Sequence, residues 1–200
     1  MTTARFARHA GLAAALLAFA PSLAHAHTGT GGAAGFLHGF AHPVLGVDHL
    51  LAMLAVGIFA AQRGGRSLWA LPASFVAVMV AGFLLRTAGV TLPGVEPVIV
   101  ASLLVLGLLV ASAVRLPTLA AAAIVGVFAL FHGTAHGAEM PAGNMALSFS
   151  AGFVTATFLL HTAGATIGIA FSRHGAAWRI DAARLAGAAI AAAGLVLLAG

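Results

Sequence analysis

VLGVDHLLAMLAVGIFAAQ, residues 44–62, is the stretch that decides the fold. Apart from Asp48 and His49 near its start it is apolar to Gln62, and a helix needs roughly twenty such residues to cross a bilayer. Lipid offers the backbone no hydrogen-bond partners, so the run reads as a helix, which satisfies its own amides. Working outward, five further runs are of the same kind: Leu68 to Thr87, Pro97 to Val114, Thr118 to His136, Asn144 to Ser172 and Asp181 to Ala199. Glycine, proline and arginine punctuate them, as at Gln62 to Arg66, Leu92 to Gly94, Arg115 to Pro117 and Met140 to Gly143. The expected fold is all-α, a polytopic transmembrane bundle of six spanning helices. Ala33 to His42 is too short to cross and is expected to form a half-helix, with Pro43 opening the first span.

Composition agrees. The chain is 62% hydrophobic and 6% charged, with mean hydropathy +1.09, too little polar surface to coat a globular protein. All nine basic residues are arginines. They stand singly between apolar runs, so the pI near 11.9 does not indicate nucleic-acid binding. Without cysteine there is neither a disulfide nor a thiolate metal site.

Residues 1–26 read as a cleavable signal peptide. Arg5 and Arg8 precede the apolar Gly11 to Ala20, and Ala24 and Ala26 form an Ala-x-Ala cleavage signal. Residues 27–200 then form a single transmembrane domain that begins at His27, whose amine and imidazole could bind metal weakly. With that end outside, Arg63, Arg66, Arg115, Arg173, Arg179 and Arg184 fall at cytoplasmic ends and only Arg86 at an outer one, as the positive-inside rule requires. The expectation is a multi-pass protein of the bacterial cytoplasmic (inner) membrane, with both mature termini in the periplasm.

Chemistry gathers in two places. His38, His42, Asp48 and His49 surround the start of the first span, while His132, His136 and Glu139 lie at i, i+4 and i+7 near the end of the fourth, along one helix stripe. Two of the four carboxylates in the chain, Asp48 and Glu139, fall inside these clusters. Imidazole with carboxylate suits a borderline divalent transition metal, and ionisable groups at membrane depth persist mainly where they have partners or serve a path. The candidate metal residues are therefore His42, Asp48, His49, His132, His136 and Glu139. Met53 and His38 are candidate auxiliary ligands, and His161, deep in the fifth span among Thr157, Thr162 and Thr166, is a candidate relay. His-Gly-x-Ala-His recurs at 38 and 132 and points to a parallel internal repeat. Gly35-x3-Gly39, Gly133-x3-Gly137 and Gly164-x3-Gly168 are notches for close helix approach.

His42-Pro43-x2-Gly46-x-Asp48-His49 and Phe131-His132-Gly133-x-Ala135-His136-Gly137-x-Glu139 resemble the two signature motifs of the HupE/UreJ family of nickel permeases. The resemblance covers essentially the whole mature chain. It implies uptake of Ni2+, with Co2+ as the alternative cargo, for hydrogenase or urease maturation, with the six candidate metal residues as the functional positions. It implies no organic cofactor and no enzymatic activity. Two rivals are a membrane di-iron oxidoreductase built on His-x3-His boxes and a metal-binding accessory protein that transports nothing. The partners expected are a divalent metal ion and the lipid bilayer, with no nucleic acid; a second copy of the chain and a metallochaperone stay open.

Overall fold

The computed structural model describes residues 32–141, 143–172 and 177–199, so the expected signal segment and His27 lie outside the described residues. Among those described, the chain forms seven α-helices and no strand: α1 Gly32–Leu45, α2 Val47–Arg63, α3 Ser67–Thr87, α4 Val95–Ser112, α5 Thr118–Ala138, α6 Ala146–Ser172 and α7 Ala177–Ala199, with a single 3-10 turn, Gly143–Met145, before α6. The helices α3 to α7 are each long and apolar enough to cross a membrane, and α1 with α2 meets the same length and apolarity only as a pair, bent by 77° at the break between them. Gly64 and Gly65 take positive φ angles of 66° and 52° to turn the chain between α2 and α3, a conformation costly for residues with a Cβ.

The break falls in a different place from the one the proline suggests. Pro43 does not open the first span; it sits inside α1, which continues to Leu45. Gly46, extended at φ −75° and ψ 109°, separates the helices, and α2 begins at Val47. The Gly46 N–H still donates to the His42 carbonyl at 3.0 Å, and the Gly46 carbonyl already accepts from Leu50 at 2.8 Å. One residue thus closes one helix and opens the next, and Asp48 and His49 stand in the first turn of α2 rather than its second.

Helices pair by pressing glycine against backbone. α1 and α2 lie along α6, α3 along α5, and α4 along α7. Gly39 faces Phe149 while Gly152 faces Phe36; Gly57 faces His161 while Gly164 faces Leu54; Gly82 faces Leu130 while Gly133 faces Met79; Gly107 and Gly187 face one another. At each crossing a Cβ would strike a neighbouring main-chain atom. Where lipid tails are as apolar as the side chains, such backbone approach supplies the packing that holds helices together.

Large apolar side chains, among them Leu119, Leu147 and Val196, point outward, whereas His49, His132, His136 and His161 are buried. This is the distribution of a membrane bundle, where a polar group inside needs a partner or a purpose. Polar contacts also distinguish the two ends. At one, Arg63 donates to the Val114 carbonyl at 3.3 Å, Arg184 to the Ala111 carbonyl at 2.8 Å, and Ser67 and Thr118 share a hydrogen bond at 2.9 Å. The first turn of α2 and the last turns of α3 and α5 form the other, the histidine end, where Arg86 packs on Gly137.

Candidate metal centre

Three helices deliver one imidazole each to a common point at the histidine end. His42 comes from the last turn of α1, His49 from the first turn of α2, and His136 from the last turn of α5. A ligand nitrogen from each can be chosen so that all three lie within 4.8 Å of one another. Ring centroids are 5.8 Å apart for His42 and His49, 4.8 Å for His42 and His136, and 4.5 Å for His49 and His136. His132, one turn deeper on α5, adds a fourth ring 5.0 Å from His49.

The two carboxylates stand behind the imidazoles and set their tautomers. Asp48 Oδ1 accepts from the His49 backbone N–H at 2.8 Å and lies 2.8 Å from His49 Nδ1. Holding the proton on Nδ1 leaves the Nε2 lone pair free, the arrangement common where imidazole binds metal. Gly46 leaves room for this pair, because a Cβ there would stand 3.2 Å from Asp48 Oδ1 and 3.4 Å from His49 Nδ1. In the same manner Glu139 Oε2 lies 2.8 Å from His42 Nε2, which frees Nδ1. His132 Nδ1 lies 2.9 Å from the Phe128 carbonyl; since a carbonyl only accepts, Nδ1 carries the hydrogen and Nε2 is free. Burial pushes the Glu139 carboxyl up, but the hydrogen bond from His42 and the nearby imidazoles outweigh it and hold the group below the usual carboxylate range. It therefore stays negative at neutral pH.

The free nitrogens face no protein partner. His49 Nε2, His132 Nε2 and both nitrogens of His136 are buried without a hydrogen bond among the described residues. Each such orphan costs roughly 1–3 kcal/mol. A cation bound here would give the lone-pair nitrogens among these four the partner the protein does not supply among the described residues.

Of the other residues singled out in the sequence, Met53 is fully buried in the apolar core, one turn beyond His49 on α2. His38 is exposed, its ring edge-on to Phe149 at 5.6 Å. His161 is buried in α6, its ring 4.9 Å from Phe75. Two neighbours of the centre escaped the sequence reading. Phe153 of α6 lies against His136 with centroids 3.9 Å apart. Glu96, in the first turn of α4, lines a cavity of about 230 Å³ together with Glu139, Arg86 and Thr134. Its signal was available, since acidic residues are so few, but it adjoins no histidine in the sequence.

Comparison with known proteins points one way. The family model described as HupE / UreJ protein matches residues 14–197. Protein HupE of Rhizobium leguminosarum bv. viciae is 48% identical over 180 residues, which cover 90% of this chain and 92% of that protein. No solved structure matches.

Proposed function

Because the chain belongs to the HupE/UreJ family, we propose that it is a permease that takes up Ni2+ through the His42, His49 and His136 centre, with Co2+ as the nearest competitor. The observation that carries this reading is the set of three imidazoles, from three helices, whose ligand atoms lie within 4.8 Å. Borderline nitrogen donors favour nickel, cobalt and zinc over magnesium and calcium. Asp48 and Glu139, each fixing an imidazole at 2.8 Å, also lower the cost of bringing a dication to the membrane.

In this reading hydrated cation enters at the histidine end, and the arginine distribution along the sequence supports a periplasmic position for that end. The carboxylates offset its charge while the imidazoles replace water. Inward movement of positive charge is favoured by the membrane potential, by about 2.3 kcal/mol per elementary charge per 100 mV. Delivery of nickel to hydrogenase or urease maturation follows from the family reading.

Radiolabelled nickel uptake by cells expressing the chain, with excess cobalt, zinc or magnesium as competitor, tests the proposal. Cobalt is expected to compete and magnesium not. Accumulation no greater than in cells lacking the protein would refute transport, and would leave the accessory reading standing if the purified protein still binds nickel.

Two further results are expected. Asp48→Asn leaves an oxygen beside His49 but weakens the acceptor and removes the charge; nickel affinity by calorimetry falls about 10- to 100-fold, the usual effect of disturbing a partner behind a ligand. Acid acts through the ligands themselves, because imidazole binds metal only as the free base. Uptake is therefore expected to fall on acidification, and uptake independent of pH would count against imidazole capture.

A further inference from the structure

A second group of unpartnered nitrogens lies deeper in the bundle. His161 is 1% exposed, and neither Nδ1 nor Nε2 has a hydrogen-bond partner among the described residues. Two helices give its depth independently. Along α2, Gly57 lies eight residues beyond His49 and packs on the His161 carbonyl. Along α6, His161 itself lies eight residues beyond Phe153, which touches His136. Either path puts it about 12 Å from the centre toward the arginine end, near the middle of a hydrocarbon layer about 30 Å thick.

A chain of ring contacts joins the two levels. His49 is 5.0 Å from His132, His132 is 5.4 Å from Phe75, and Phe75 is 4.9 Å from His161, all between ring centroids. Beside this file, one turn toward the histidine end on the same two helices, the Met79 sulfur and the Thr157 hydroxyl are 3.9 Å apart and fully buried. On its other side His161 borders an apolar cavity of about 700 Å³ lined also by Trp69, Pro72, Val76 and Phe158, with no carboxylate among the lining residues.

Resting on the permease reading, we propose that His161 is an inner binding station for the divalent transition metal, reached from the outer centre by way of His132 and past the Phe75 ring. Two opposite demands meet here. A cation crossing an apolar interior needs a donor part of the way along, and buried imidazole nitrogens with no other partner supply one. A site that must also release its ion has to hold it loosely; one imidazole without a carboxylate does so, whereas three imidazoles backed by Asp48 and Glu139 capture. The Phe75 ring offers its π-face to a passing cation but no lone pair, so it separates the two levels without forming a third stop.

Full-length protein in liposomes containing a nickel-sensitive dye reports entry, and equilibrium dialysis of the same preparation reports capture at the outer centre. His161→Leu, which keeps bulk and removes both nitrogens, is expected to slow entry at least tenfold while nickel affinity at the outer centre stays within twofold. His161→Met, which restores a soft donor, recovers part of the entry rate. Entry at the wild-type rate in His161→Leu overturns the proposal, as does loss of outer binding together with entry, or a Met variant no faster than the Leu variant. Should His161→Leu fail to fold, His161→Ala is read by the same criteria. A wild-type protein that admits no nickel would sink the permease reading and this one with it, whereas wild-type entry unaffected by His161→Leu sinks this one alone.

Discussion

His136→Leu abolishes nickel capture and at the same time makes the metal-free protein harder to unfold. His136 is wholly buried, contributes one of the three converging imidazoles, and has no hydrogen-bond partner for either ring nitrogen among the described residues. Its removal leaves two donors where three met. Disturbing a partner behind a ligand costs 10- to 100-fold, so losing a ligand itself is expected to lower affinity by more than about 100-fold. Leucine is close in size and packs against Phe153, which already lies on the imidazole. Two orphaned polar atoms disappear, each of which costs roughly 1–3 kcal/mol when buried unpaired, so stability rises although the site is gone. Calorimetric titration with nickel, paired with thermal unfolding in detergent without metal, reads both effects. Retained affinity, or a marked drop in the unfolding temperature, would show that His136 serves packing rather than coordination.

The second large effect concerns glycine. Gly133→Leu should give almost no folded protein, whereas Gly126→Ala, seven residues earlier on the same helix, should be tolerated. At 133 any Cβ runs into the Met79 carbonyl, a main-chain atom that can retreat only if α3 and α5 separate. At 126 the nearest atoms are Ser74 Oγ and Val78 Cγ2, both at 3.5 Å, which is ordinary contact. Overpacking a tight core costs typically 1–3 kcal/mol, and here the whole α3 and α5 seam is displaced, including the turn that carries His132. Membrane yield and fluorescence-detected size exclusion of the two variants make the comparison. Equal yields would mean that the seam is looser than the structure describes.

Much of this architecture is legible in the chain. Continuous apolar runs leave helices as the only choice, and the turn residues between them fall within a few positions of the observed ends. The break near the start of α2 was harder to place, because Pro43 and Gly46 are both breakers and local rules favour the proline as a first helical residue. The structure carries α1 through Pro43 to Leu45, where the Gly46 N–H closes the last turn on the His42 carbonyl, and breaks the chain at the extended Gly46. The imidazole clusters were visible as motifs, and the structure brings His42 and His49 to His136. The part of Phe153 could not be read, since it depends on which helices meet at the histidine end and a hydrophobic pattern in lipid does not record neighbours; Glu96 stood out as one of four carboxylates, but nothing in the sequence ties it to the histidines. Small residues mark where helices touch but not which helices do so.

The 77° elbow has a mechanical corollary. His42 and His49 ride on separate rods joined through Gly46 alone. Four residues at 1.5 Å each put His42 about 6 Å from that joint. A rotation of about ten degrees would therefore carry its nitrogen about 1 Å, several times the ±0.2 Å within which metal–donor lengths must fall. A cation held between these imidazoles would be gripped through the angle of one glycine, so the clasp could be undone without dismantling any helix.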